Sequence, residues 1–293
     1  MYKSYYYCFL RSSFGDECIE RVIALIKPYS IRYKETETSL MFTLYDNMDG
    51  FETLYQALAD IYVLDDGETA GILKDWVYTK DEIERAEWLT MYTQYSRVES
   101  IKDTTFSYTH PYAVNHAYGC EIVHYSHRDQ VGPFILSTAY KWPARCFFVS
   151  YLGSFTDLFT NAAGKDFLAS YCPEAIGFKG VYLKRVDGLQ DSNIFQLDFQ
   201  NVLPTEEIVP PDVPVKKCEV CGRWSYEIHP ALYQMQVYSS YLNAKKKIYR
   251  TEKIFGPGFP DHKIVIHQSM RQEIIRRNMQ KNLVFAPLIT VKN

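Results

Sequence analysis

Short apolar runs with two different spacings predict alternating strands and helices at the start of the chain. Residues 5–10, 31–35 and 39–45 combine aromatic and aliphatic side chains in the short runs typical of half-buried strands. In DECIERVIALIK the apolar residues recur every three or four positions, which indicates a helix that ends before a proline. FETLYQALADIY shows the same helical period after a turn at DNMDG. This order predicts an N-terminal β-α-β-β-α layer in residues 1–72 with its helices on one sheet face.

The rest of the chain, residues 73–293, predicts a larger mixed α/β domain of the same α+β class. YTKDEIERAEWLTMY opens with Thr79 three residues before Glu82, a capping-box spacing that predicts a helix with Trp88 and Leu89 on its buried side. Two later stretches each predict strand, helix and strand, which is a faint internal repeat.

The two repeat-like stretches and a cysteine hairpin complete the predicted domain. The first runs from CFFVS to FKGVYL and the second from KIVIH to LVFAPLI, with Ser269 and Gln272 in a second capping-box spacing. Between them, a proline-rich connector leads into a Cys-x-x-Cys hairpin at residues 216–228. Two strand-helix-strand units and one hairpin are therefore expected in this region.

Composition and charge exclude several classes of protein. The chain is 47% hydrophobic and 23% charged, and it has no apolar run long enough to span a bilayer. Its start shows no small-residue cleavage site, and most of its seven cysteines stand singly, a pattern typical of a reducing compartment. A cytoplasmic protein is expected. Aromatic residues reach 16%, which suits wet sheet edges and recognition surfaces.

The charge is segregated along the chain. Residues 1–110 carry 11 Lys and Arg against 19 Asp and Glu, whereas residues 215–293 carry 14 against 5. An acidic front and a basic back can each steer a partner of opposite charge.

The strongest chemical signal is the C-x-x-C-G motif of Cys218, Cys221 and Gly222. This spacing lets two thiolates face one tetrahedral ion, and four ligands are needed for a structural zinc site. The candidates for the remaining ligands are Cys120, His124 and His127. A hairpin that keeps two thiols without metal is the competing interpretation, and for the histidines alone a surface or hydrogen-bonded structural role is favoured.

No known catalytic spacing accompanies the cysteine pair. The sequence has no H-E-x-x-H, no G-x-S-x-G and no phosphate-binding glycine loop, so a zinc ion here is expected to be structural. A non-enzymatic protein is predicted, with a metal-assisted enzyme as the remote alternative.

Several of these pieces together resemble a family of bacterial proteins. The C-x-x-C-G motif, the stretch KIVIHQSMRQEIIRRNMQKNLVFAPLI with Phe285 and Pro287, and the upstream YTKDEIERAEWL and FFVS are similar to the double-CXXCG immunity proteins of polymorphic toxin systems. The resemblance covers about residues 76–293, and this chain has one such motif where those relatives have two. It implies a protein that binds and neutralises one cognate toxin, without catalytic residues of its own.

Two partners follow from these observations. For a toxin, the expected docking surface is the acidic front, with the candidate residues Asp65, Asp66, Glu68, Asp81 and Glu84. For nucleic acid, the alternative partner, the basic run at residues 245–253 and the terminal helix with Arg271, Arg276, Arg277 and Lys281 are the candidates. A solvated basic face, or one that pairs with the acidic domain, is the stronger explanation of the second set, so nucleic acid is the less favoured partner.

Overall fold

The structure, a computed structural model, has two compact units and belongs to the α+β class, as predicted. Residues up to Thr79 form the first unit, and the second begins at Lys80. In the part of the chain that is described, no helix is both long and apolar enough to cross a membrane. The described residues are 4–11, 16–36, 39–62, 70–93, 112–113, 129–130, 133–136, 140–151, 154–203, 215–217, 224–226, 236–255 and 261–292.

The first unit alternates strands and helices in the order β-α-β-β-α-β. Its elements are β1 (Ser4–Arg11), α1 (Asp16–Ile26), β2 (Tyr33–Thr36), β3 (Ser39–Tyr45), α2 (Phe51–Tyr62) and β4 (Ala70–Trp76). Pro28 lies in a 3-10 turn directly after α1, since proline lacks the N–H that would continue the helix. The strands are ordered β2-β3-β1-β4 and all neighbours are antiparallel, the split β-α-β arrangement of ferredoxin-like domains.

Both helices of this unit pack on the sheet to make its core. β3 buries every second side chain, Leu40, Phe42 and Leu44, because successive residues of a strand face opposite sides. The helices contribute the apolar positions of their periodic pattern: Val22, Ile26, Phe51, Leu54, Leu58 and Ile61. The sequence boundary at residue 72 lies inside β4, which pairs with β1 from Ser4 opposite Trp76 to Leu10 opposite Ala70.

The second unit contains three helices and many short strands in its described part. Its elements are α3 (Lys80–Arg85), β5 (Trp88–Thr93), β6 (Tyr112–Ala113), β7 (Asp129–Gln130), β8 (Ile135–Leu136), β9 (Phe148–Tyr151), β10 (Ser154–Asn161), α4 (Ala162–Tyr171), β11 (Ile176–Arg185), β12 (Gly188–Phe199), β13 (Val202–Leu203), β14 (Val215–Lys217), β15 (Trp224–Tyr226), β16 (Gln236–Tyr238), β17 (Ile248–Phe255), β18 (Asp261–His267), α5 (Gln268–Arg276), β19 (Leu283–Pro287) and β20 (Ile289–Val291).

Two larger sheets organise this unit. One is five-stranded with the order β8-β11-β12-β10-β9, and the other is seven-stranded with the order β14-β15-β17-β18-β5-β19 and β13 beside β17. In the second sheet, β5 lies between β18 and β19 and is antiparallel to both. Two small pairs, β16 with β20 and β6 with β7, complete the described strands.

A shared core joins the two sheets through α4 and α5. It contains Leu89 and Met91 of β5, Leu158 of β10 and Ile266 of β18. The helices add the fully or nearly fully buried side chains Phe167, Leu168, Met270 and Ile274. The five-stranded sheet also buries its other face, against a cluster that includes Phe134, Phe159 and Val181. Because the inner strands of the five-stranded sheet are covered on both faces, their residues do not follow a simple alternation of apolar and polar positions.

The structure corrects three local predictions. The helix expected over YTKDEIERAEWLTMY ends at Arg85, and Trp88 and Leu89 belong to β5, where they lie opposite His267 and Ile266 of β18. A strand, β10, stands between β9 and α4 in the first strand-helix-strand unit. The N-cap of α5 is His267 and not Ser269.

Candidate docking and metal sites

The strands that flank the C-x-x-C-G motif form the predicted hairpin. β14 and β15 are antiparallel, with Val215 opposite Tyr226 and Lys217 opposite Trp224. Residues 218–223 connect them, so the chain carries both cysteines in the connection of a hairpin. The five candidate ligands themselves, Cys218, Cys221, Cys120, His124 and His127, lie outside the described residues.

The cysteines that the structure describes are side chains of the cores. Cys8, Cys18, Cys146 and Cys172 are free thiols, and three of them are buried. Burial raises the pKa of the Cys172 thiol to about 11, against a smaller opposing effect of Lys247, and it also raises the pKa of Cys8 and Cys18. Burial thus favours the neutral thiol at Cys8, Cys18 and Cys172. Within the described ranges, no three His, Cys, Asp or Glu side chains are grouped closely enough to hold a metal ion.

The acidic candidates fall in two different units. Asp81 and Glu84 lie on α3, at the beginning of the second unit, and both residues are exposed. Asp65, Asp66 and Glu68 lie outside the described residues, in the chain segment that precedes β4 of the first unit.

α3 is a short helix that the rest of its unit holds in place. Ile83 and Ala86 pack against the shared core. The buried side-chain amide of Gln268 donates hydrogen bonds to the backbone carbonyls of Ile83, at 2.7 Å, and Glu84, at 2.6 Å. These carbonyls are near the C-terminal end of α3, where helix carbonyls lack partners within the helix. The backbone of α3, which carries the exposed carboxylates, is therefore held in place by the core and by Gln268.

Cations near α3 balance part of its charge. Lys80 Nζ lies 3.6 Å from Glu84 Oε1, and both side chains are well exposed, so this pair adds little stability. Burial lowers the pKa of Arg271, and the charge of Glu84 partly offsets that effect. The guanidinium of Arg271 donates weakly to Gln268 at 3.4 Å and lies over the ring of Phe285. Lys80 and Arg271 thus compensate part of the negative charge of Glu84.

Most of the basic candidates are already engaged within the second unit. Glu273 binds both Arg276 and Arg277, with hydrogen bonds of 2.5 to 2.7 Å. The hydrogen bond from Arg276, and after it the one from Arg277, lower the pKa of Glu273 to about 2. Arg277 also lies over the ring of Phe167, with 5.1 Å between its guanidinium carbon and the ring centre.

The basic run before β17 divides into an engaged and an exposed part. Lys247 donates to the carbonyl of Tyr171 at 3.0 Å, and its Nζ lies 3.5 Å from the centre of that ring. Lys245 and Lys246 are exposed in the turn that precedes β17. The exposed cations that remain therefore form a smaller basic surface than the sequence predicted.

One exposed feature was not singled out from the sequence: the tip of the β11–β12 hairpin, residues 185–191. All seven residues are exposed, and the tip presents Val186 at 103% and Leu189 at 54% relative exposure. The Asp-Gly pair at 187–188 is a turn signal that could have located it. The sequence predicted only the short strand FKGVYL before the turn, so the length of the two strands and the projecting tip were missed.

Comparisons of the chain with known family models, with curated proteins and with solved structures give no match. The terminal pieces that carry the resemblance to immunity proteins form consecutive elements, β18, α5 and β19, in the second unit.

Proposed function

We propose that this chain is an immunity protein that binds and neutralises a cognate bacterial toxin. The observation that carries the proposal is the support of α3, which displays Asp81 and Glu84 to solvent while Gln268 and the core fix its backbone. The resemblance of residues 76–293 to toxin-immunity proteins gives the class of partner.

A fixed acidic helix suits rapid binding of a basic partner. Opposite charges on two proteins raise the association rate, and the effect weakens as salt screens them. A backbone that is already held in place loses little conformational freedom on binding, which lowers the cost of forming the complex. α3 has six residues and supplies only part of an interface, since each partner usually buries about 800 Å².

Nucleic-acid binding by the basic C-terminal third has less support. Arg276 and Arg277 share the charge of Glu273, and Lys247 donates to the carbonyl of Tyr171, so part of their capacity to bind phosphates is already used. In the described part of the basic run at residues 245–253, Lys245 and Lys246 are the exposed cations. Two cations offer few phosphate contacts, and affinity for nucleic acid grows with the number of such contacts.

The proposed function is tested by pairing the chain with the polypeptide encoded next to it. Expression of that polypeptide alone should arrest growth of a bacterial host, and co-expression of this chain should restore it. Purified partners should form a stoichiometric complex in light scattering. If the neighbouring polypeptide is toxic but is neither bound nor neutralised by this chain, the proposed function is wrong. A mixed-sequence RNA and DNA titration at low salt serves as the test of the alternative partner.

A further inference from the structure

We draw no further inference here: the strongest candidate, the exposed tip of the β11–β12 hairpin with Val186 and Leu189, is formally neutral once Lys184 is counted, and nothing in the structure shows what covers these two side chains.

Discussion

The side-chain amide of Gln268 donates to the backbone carbonyl of Ile83 at 2.7 Å and thereby joins the start of α5 to the end of α3. A second bond from the same nitrogen reaches Glu84. Because Gln268 is buried and the two carbonyls belong to the helix that carries the acidic candidates, this contact connects the core of the second unit to its proposed docking surface.

Replacing Gln268 by Leu should destabilise the second unit. The change leaves two helix carbonyls without their donor, at a cost of about 1–3 kcal/mol for an unsatisfied buried group. Urea denaturation measures the free energy of unfolding. The control is Gln272→Leu, an exposed position on the same helix, for which little change is expected. Equal stability of the two variants would mean that Gln268 does not support α3.

The N-cap of α5 predicts a difference between two substitutions of His267. Its Nδ1 accepts from the backbone N–H of Ser269 at 3.2 Å, and since that nitrogen then carries no proton, the Ser269 hydroxyl donates to it at 2.8 Å. Its ring also packs edge-on against Trp88. His267→Ala and His267→Asn both lose the ring contact, but Asn is a good N-cap. The Ala variant should therefore be less stable than the Asn variant by about 1 kcal/mol in thermal or urea unfolding.

Reversing the acidic charges of α3 should slow association with the toxin. For Asp81→Lys/Glu84→Lys we expect a lower association rate and a weaker dependence on salt, because steering by these carboxylates is removed. Asp166→Lys/Glu174→Lys is the matched control, with the same charge change at two exposed residues of the same unit. Stopped-flow mixing at several salt concentrations gives both quantities. Identical salt slopes in the two variants would exclude α3 as the steering surface. Asp65→Lys/Asp66→Lys tests the remaining acidic candidates in the same way.

The cysteine pair predicts a bound metal ion. Elemental analysis of the purified chain should find about one zinc per molecule, since four ligands complete one structural site. Cys218→Ser/Cys221→Ser should lose the metal and unfold at lower temperature, because metal binding and folding are coupled. Cys18→Ser, which changes a described free thiol, should keep it. If the parent chain contains no metal and melts at the same temperature as the double variant, the zinc prediction is wrong and the hairpin is held by strand pairing alone.

The Glu273 cluster predicts a stability change in acid. Arg276 and Arg277 lower the pKa of the Glu273 carboxyl from 4.5 to about 2, so the folded state favours the ionised carboxylate. That contribution is complete above the unfolded pKa and is lost as pH falls from about 4.5 to about 2. The stability difference between the parent chain and Glu273→Gln should therefore shrink over this window. Glu174→Gln is the control, an exposed Glu for which no ion pair is found among the described residues. A difference that does not vary with pH would contradict the assignment.

Local patterns predicted the elements that depend on local sequence. The strand over residues 39–45 and the helix over residues 51–62 match β3 and α2, because alternation and helical period are both clear there. The segment WLTMYT was assigned to a helix, although it forms β5. Its apolar residues are buried in a central strand, and a short apolar run of this kind has no period that separates strand from helix.

The contacts that form the candidate sites could not be predicted in the same way. Gln268 and Ile83 are 185 residues apart, and the pairing of β18 with β5 brings their segments together. The exposed Val186 was missed for a different reason, since nothing in an apolar residue's identity tells whether a neighbouring element covers it. The charged candidates were found because the positions of charged residues can be taken directly from the sequence.

The position of β5 between β18 and β19 has a consequence for synthesis of the protein. The ribosome completes β5 early, but the two strands that pair with it come from the other end of the second unit. At about 5–20 residues per second, β5 waits on the order of ten seconds with both edges unpaired, whereas the four strands of the first unit are complete much sooner. The first unit can therefore fold during translation. The nascent second unit exposes an apolar strand throughout that interval, and unpaired strands of this kind are prone to aggregate and are what chaperones protect.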